Sequence, residues 1–477
     1  MTKTDLLPFQ IPAVEKLQPL RVGALFMDMG LGKSRAAIEL VARRQEKISR
    51  VVWFCPVSLK ETIEFEIHKH VDTESHPVYV FDDKTHQGAI PRAFWYVIGL
   101  ESMGSSSRVI LAARDLMDES TCVIVDESDF IKGHRSQRTW WVTEISKNTR
   151  YRLILSGTSV TQGIVDLYAQ FRFLSPLILG YRSFYSFAAN HLEYSEKYPG
   201  LIVRSLNTGY IAAKIAPFTY QVTKDECLTL PKKLYETRYF GMTPQQEMTY
   251  QQAKYELLMD VDPDEMNSWV IFRLFTALQQ IVCGFWNRRP PRENRRDRPE
   301  MEHIDLPHYR LEVLQDVLAR IPGDEKVIIW AKFDYDVQGI MGALNAHYGA
   351  SQVSLFCGKN AATRDEELER FRGPARFLVA TPSSGGRGLT VNDARFMVFY
   401  NNGFKYSERK QAADRNYRIG QDMPVTIIDI ICNAGIDLRI MDALATKQGV
   451  VQSFRREVKK LREMKDEKKF AELVASV

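Results

Sequence analysis

The sequence lacks a membrane span, a cysteine framework and a strong charge bias. No run of about 18 apolar residues occurs, so nothing in it reads as a bilayer-crossing helix. The six cysteines, at positions 55, 122, 227, 283, 357 and 432, include no CxxC pair, and most lie inside apolar runs such as 51–55 and 122–125. That argues against a zinc site and a disulfide scaffold, and for buried thiols in a reducing compartment. The opening stretch carries Asp5 and Pro8 and does not read as a secretory signal. An intracellular setting is therefore expected: cytoplasm, nucleoid, or a host cell were the source viral. With 64 Lys+Arg against 59 Asp+Glu the net charge is +5. This permits nucleic-acid contact without arguing for it, so any basic surface must be local.

What is present is enough chain, 477 residues with 45% apolar, for several packed cores at about 100–200 residues per domain. Up to residue 174, short apolar runs at 24–27, 51–55, 96–99, 122–125 and 153–155 alternate with amphipathic helical stretches. The same alternation returns from 303 to 450, with strands expected at 327–330, 377–380, 397–400 and 425–431. Short, β-branched, fully apolar runs between helices predict parallel strands covered on both faces. The fold class expected is α/β: two doubly wound parallel-sheet lobes. Residues 175–302 read as a mainly helical insertion between them. Within it, Thr243-Pro244-Gln245-Gln246 has the form of a helix start. Residues 269–286 predict an apolar helix, and 288–298, with six arginines in eleven residues plus Pro290 and Pro291, an exposed basic loop. Residues 451–477 read as a charged C-terminal helix.

Met27-Asp28-Met29-Gly30-Leu31-Gly32-Lys33-Ser34 follows a strand and precedes a helix. It ends in the GKS of a Walker A loop, although Met27 stands where the first glycine belongs. Glycines let backbone N–H groups face phosphates, Lys33 reaches the β- and γ-phosphates, and Ser34 is a Mg²⁺ ligand. Asp126-Glu127 ends a later strand, as a Walker B pair does. Asp126 is then the second Mg²⁺ residue, and Glu127 orients and deprotonates the attacking water. ATP and Mg²⁺ are the cofactors this pattern calls for. Acids after a strand are often mere surface charge; the loop upstream favours the catalytic reading here.

With these residues in view, the chain resembles the Swi/Snf-type branch of superfamily-two helicases and translocases, over nearly its whole length. Leu7-Pro8-Phe9-Gln10 resembles the adenine-reading motif, with Gln10 as the adenine contact. Cys55-Pro56-Val57-Ser58-Leu59 with Glu66 resembles motif Ia, with Ile63 where the family prefers Trp. Asp126-Glu127-Ser128-Asp129, followed by Ile131-Lys132, resembles motif II, and Ser156-Gly157-Thr158 motif III. Pro217-Phe218, Lys224-Asp225 and Leu230-Pro231-Lys232 resemble the stretch that joins the lobes, where Gln221 and Val222 replace the usual Arg pair. Thr381 and Gly385 to Leu389 resemble motif V. Gln411 to Gln421, with Arg415 and Arg418, resembles motif VI; Tyr417 replaces its usual His, and Asn401 and Phe404 replace the usual Asp and Trp upstream.

The resemblance implies two RecA-like lobes with ATP between them. Gln10, Gly30, Leu31, Gly32, Lys33, Ser34 and Gly388 would bind nucleotide. Lys33, Asp126, Glu127, Arg415 and Arg418 would be catalytic, and Ser156, Gly157, Thr158 and Gln411 would couple the lobes. Ser58, Lys60, Lys332, Lys359 and Thr381 would grip nucleic-acid backbone. At i, i+3 on a helix, Arg415 and Arg418 would share a face, and planar guanidinium groups suit the charge of a transferring phosphoryl group. The expected function is a nucleic-acid-dependent ATPase that tracks along double-stranded DNA, a monomer with no membrane partner. A strand-separating or branch-processing helicase on DNA or RNA, and an ATP-liganded clamp without turnover, are the alternatives. A nuclease is disfavoured, since no further carboxylate cluster follows the two lobes. Trp140-Trp141 are expected in a core or interface.

Overall fold

The structure is a computed structural model that describes residues 1–157, 163–194, 202–228, 231–258, 268–289, 300–360, 363–382, 391, 393–417, 421–446, 457 and 473. The chain divides into two compact units, Met1–Thr229 and Leu230–Val477.

In the first unit the strands are β1 (Val22–Met27), β2 (Arg50–Cys55), β3 (Val78–Val80), β4 (Trp95–Gly99), β5 (Thr121–Val125) and β6 (Tyr151–Ser156), then a small antiparallel pair, β7 (Leu192–Tyr194) and β8 (Ile202–Ser205), and finally β9 (Thr219–Val222). Seven of these form one sheet in the order β3-β4-β2-β5-β6-β1-β9. Every pairing in it is parallel. A parallel strand between helical layers has no wet face, which is why these strands read as unbroken apolar runs rather than as alternation. Val51–Cys55, Val97, Ile98 and Cys122–Val125 are fully buried.

The second unit repeats the architecture with β10 (Lys233–Phe240), an antiparallel pair β11 (Phe285–Arg288) and β12 (Glu302–Asp305), then β13 (Lys326–Trp330), β14 (Val353–Phe356), β15 (Phe377–Ala380), β16 (Ala394–Phe399) and β17 (Val425–Cys432). Its six-stranded sheet, β10-β17-β16-β13-β15-β14, is again entirely parallel. The fold is therefore α/β, built as two parallel-sheet units with helices on the sheets.

The segment 175–302 is shared between the units: up to Thr229 it belongs to the first, and from Leu230 to the second. It also supplies strands β7 to β11, with β9 and β10 extending the two large sheets. Its helix Pro244–Leu258 starts at the expected capping box: Gln246 N–H donates to Thr243 Oγ1 at 3.2 Å, and Thr243 N–H to Gln246 Oε1 at 3.0 Å. The apolar helix expected over 269–286 ends early, at Val282. Gly284 takes φ 96°, and a Cβ there would lie 2.0 Å from His308 Cδ2. Only glycine fits this turn, so Trp286 lies in β11 instead of on the helix. Arg288 also lies in β11 and is paired with Glu256 at 2.7 Å and Glu302 at 3.3 Å. The basic loop beyond Arg289, and the charged C-terminal stretch apart from Glu457 and Leu473, lie outside the described residues. Among the described residues no helix is long and apolar enough to cross a membrane.

A buried ion pair fastens the second unit. Arg310 is fully buried. It donates to Asp437 Oδ2 at 2.5 Å and to the carbonyls of Tyr400 (2.5 Å) and Ile430 (3.1 Å). The pair joins the helices Arg310–Arg320 and Gly435–Ala445 to β16 and β17. Removing one partner strands the other charge in the core. Arg310→Ala is expected to destabilise this unit by roughly 3–5 kcal/mol. Urea unfolding followed by tryptophan fluorescence reads the loss, since Trp286 and Trp330 both report on this unit.

Candidate functional site

Parallel pairing sets the site. The C-terminal ends of β1, β5 and β6 lie side by side at one edge of the sheet, with β1 paired to β6 and β6 to β5. Each end opens into one of the motifs: β1 into the loop 28–32, β5 into Asp126-Glu127, and β6 into Ser156-Gly157.

The loop makes its turn with Gly30 at φ 86° and Gly32 at φ 70°. Gly32 caps the helix Lys33–Ala42 in a left-handed conformation. The helix thus starts with its first-turn N–H groups and the positive end of its dipole at the loop, a built-in anion site. Ser34 is the second residue of that helix. Gln10, 2% exposed, braces the loop from behind. Its Nε2 donates to the Leu31 carbonyl at 3.0 Å and the Gly32 carbonyl at 3.4 Å, while its Oε1 accepts from Leu7 N–H. Both amide protons are thereby committed to the loop, so in this arrangement only Oε1 has spare capacity for a base.

Lys33 Nζ stands 3.1 Å from Glu127 Oε1 and 4.0 Å from Asp126 Oδ1. Both acids are buried, at 6% and 3% exposure. Burial pushes the Asp126 carboxyl up; the Lys33 ammonium pulls it down, and the Glu127 charge adds to the rise. Asp126 is tied by its backbone N–H to the Phe54 carbonyl at 2.8 Å, and its Oδ1 accepts from Glu127 N–H at 2.9 Å. Gly157 packs against the loop: a Cβ there would lie 2.7 Å from Met29 Cγ and 3.4 Å from Lys33 Nζ. Ser156 is buried, and Thr158 lies outside the described residues.

Three supports were not singled out as site residues. Gln170, on the helix Ile164–Leu174, accepts from Ser128 Oγ at 2.6 Å and so holds the turn after Glu127. Asp166 on the same helix pairs with Lys132 at 3.0 Å. Asp28 Oδ2 accepts from Lys224 N–H at 3.2 Å, which ties the loop to the start of the joining segment. The Ile131-Lys132 and Lys224-Asp225 signals pointed to the last two; nothing local marks Gln170.

In the second unit the helix Tyr406–Ala413 carries Gln411 and ends before Arg415. The expectation that Arg415 and Arg418 share a helix face is thus corrected: Asp414 is the cap and Arg415 lies in the turn after it, 1% exposed. The turn is held by Asn416 Nδ2 on the Ala394 carbonyl at 2.7 Å and by Lys233, which meets Asp414 at 2.7 Å and lies 4.3 Å from the Tyr417 ring. Gly388 and Arg418 lie outside the described residues.

The proposed backbone contacts differ in kind. Ser58 is exposed, and so is Lys359, which is paired with Asp334 at 2.9 Å. Lys60 spends its ammonium on the Phe81 carbonyl at 2.7 Å. Lys332 Nζ donates to Gln279 at 2.6 Å beneath the Phe404 ring, 3.5 Å from its centroid, and burial brings its pKa down to about 8. Thr381 is 6% exposed. Trp140 is half-exposed and makes an edge contact with Trp141 at 4.6 Å.

A phosphate loop at the edge of a parallel sheet, with a lysine set against two buried carboxylates, defines a P-loop nucleotide-binding protein of two α/β units. The SNF2-related domain model matches residues 14–284, and the helicase conserved C-terminal domain model matches residues 309–420. The chain belongs to the SNF2-related family. It is 24% identical over 334 residues to an uncharacterized ATP-dependent helicase of Mycoplasma genitalium, covering 69% of this chain and 30% of that protein. It is 23% identical over 496 residues to the ISWI chromatin-remodeling complex ATPase ISW1 of Saccharomyces cerevisiae, covering 97% of this chain and 42% of that protein. The chain thus spans less than half the length of either relative. A solved Sulfolobus solfataricus SWI2/SNF2 ATPase core in complex with dsDNA aligns over 94% of this chain and 92% of that one, at 21% identity and a TM-score of 0.44.

The left-handed turn gives a direct check on the loop. A Cβ on Gly32 would lie 2.2 Å from Gln10 Nε2, on a backbone that disfavours side chains. Gly32→Ala is expected to abolish binding of a fluorescent ATP analogue while leaving the fold intact by circular dichroism.

Proposed function

We propose that the chain is an ATP-hydrolysing, nucleic-acid-dependent motor that translocates on double-stranded DNA and remodels DNA or protein–DNA complexes. The observation that carries the reading is Lys33 within 4.0 Å of both Asp126 and Glu127 at the mouth of the phosphate loop. Family membership supports ATP use. The relative that covers 97% of this chain is by name a chromatin-remodelling ATPase, which favours duplex DNA as the polymer.

In this reading Lys33 exchanges its carboxylate partner for the phosphate oxygens of ATP. The exchange frees Glu127 to orient a water and take its proton at the carboxylate. Ser34 and Asp126 fit a Mg²⁺ ion that also uses phosphate oxygens. Among the described residues no group of three His, Cys, Asp or Glu side chains is placed to hold a metal unaided, and Mg²⁺ ordinarily takes one or two carboxylates plus substrate phosphates. The bound ion would supply charge neutralisation on the β- and γ-phosphates. Arg415 and Arg418 are assigned to the transferring phosphoryl group, so that loss of the γ-phosphate removes the contact they make with it. Ser58, Lys60, Lys332, Lys359 and Thr381 remain the proposed backbone contacts. The exposed Ser58 and Lys359 are the readiest of them; the other three need rearrangement first.

Three measurements test this. ATP turnover should rise most with duplex DNA when duplex, single-stranded and branched DNA and RNA are compared side by side; stimulation by RNA alone would sink the choice of polymer. Glu127→Gln should retain ATP binding and lose turnover by about 100-fold or more. A variant that still hydrolyses would remove Glu127 from the role of base. Arg418→Ala should likewise bind ATP but lose about 10³-fold or more in rate, and unchanged turnover would refute the arginine assignment.

A further inference from the structure

Arg44 is 7% exposed, yet its charge meets no carboxylate within ion-pair distance among the described residues. Its Nη2 donates to the carbonyls of Leu17 (2.6 Å), Gln18 (3.2 Å) and Leu20 (2.6 Å), and its guanidinium lies 5.7 Å from the Tyr151 ring centroid. Its Nη1 is buried without a hydrogen-bond partner. A buried cation with neither counter-ion nor full hydrogen bonding is costly unless something compensates it.

Arg44 lines a concavity of about 680 Å³ together with Arg21, Lys47, Glu119, Arg150 and Tyr151. The one acid among these, Glu119, is already bound to Arg150. Arg21 and Lys47 are exposed and have no ion-pair partner among the described residues. Three uncompensated cations thus converge on one hollow beside an aromatic ring. The volume falls within the roughly 300–1,000 Å³ of small-molecule sites. Guanidinium groups bind phosphate oxygens through paired, charge-assisted hydrogen bonds.

The hollow lies at the wrong end of the sheet for the Walker loop. Arg21 precedes β1 and Arg150 precedes β6, whereas the loop and Gly157 follow those strands. Six residues of strand separate the two ends by about 20 Å. We propose that this hollow is a second phosphate-binding site, distinct from the loop at Lys33, for a small phosphorylated ligand of diphosphate or nucleotide size. Arg44 would sit at its base and Arg21 and Lys47 at its rim.

The test titrates inorganic pyrophosphate into the full chain by calorimetry in two backgrounds that silence the loop: Lys33→Ala, and the wild-type chain saturated with ADP. Binding should persist in both. It should weaken about tenfold or more when Arg21→Ala and Lys47→Ala are added, as two charge-assisted contacts are lost. Both side chains are exposed, so the melting temperature without ligand should not move. Loss of pyrophosphate binding on silencing the loop would overturn the proposal, as would unchanged affinity in the double variant. A parallel titration with a short DNA duplex separates the sources of phosphate. If the double variant weakened duplex binding and left pyrophosphate unaffected, the hollow would be a nucleic-acid contact and the small-ligand site would fail.

Discussion

Parallel strand pairing is the constraint on which the first unit depends. In a parallel sheet all carboxyl ends fall on one edge, so residues far apart in sequence meet without any special loop. Lys33, Glu127 and Gly157 are 94 and 30 positions apart in turn, yet they converge because β1, β6 and β5 are neighbours. The same geometry buries two carboxylates beside one ammonium. Lys33, within 4.0 Å of both, offsets their mutual repulsion, and Asp126 also accepts the Glu127 N–H.

Much of this was legible in the sequence. Fully apolar, β-branched runs gave nine strands to within about three residues, because burial on both faces leaves a mark that periodicity does not blur. In the two large sheets β3, β9, β10 and β14 were missed, as were the small antiparallel pairs β7–β8 and β11–β12. β3 and β9 have three and four residues, and β10 exposes Tyr235 and Tyr239 at the margin of its sheet. Edge strands carry polar residues on one side and lose the apolar signature. The helix over 269–286 failed at Gly284, a position whose meaning depends on His308, distant in sequence. The Thr243 box succeeded because a capping box is complete within four residues.

Departures from the family pattern are absorbed by neighbours. Asn401 occupies a position where the resemblance leads one to expect Asp. Its Nδ2 donates to the buried Asp336 at 2.5 Å, and its Oδ1 accepts from Lys332 N–H at 2.7 Å. An aspartate there would set two carboxylates face to face, and Asp336 is already raised to about 7 by burial. Phe404, in place of Trp, carries Lys332 on its ring, and Tyr417, in place of His, does the same for Lys233. These substitutions keep a ring or an amide where one is needed and exchange only its identity. Such compensation lies in pairs of residues remote along the chain, so the sequence shows the departure but not its remedy.

Glu127 brings these threads together. It is one of two non-glycine residues described with positive φ, at φ 49°, ψ 59°. A conformation of this kind costs about 1–3 kcal/mol and survives only where surrounding bonds over-determine it. Here they do: Asp126 holds the Glu127 N–H, the Glu127 carbonyl accepts from Phe130 N–H, and Gln170 holds Ser128. An extended Glu127 would continue the line of β5, with its side chain thrown to one face of the sheet. The left-handed turn instead brings the carboxylate back over the strand end, within reach of Lys33. The strain is thus the local cost of bringing this carboxylate to the phosphate loop. It also explains why Gln170, silent in the sequence, belongs to the site: without its bond to Ser128, the turn that aims Glu127 would lose one of the few contacts that oppose its relaxation.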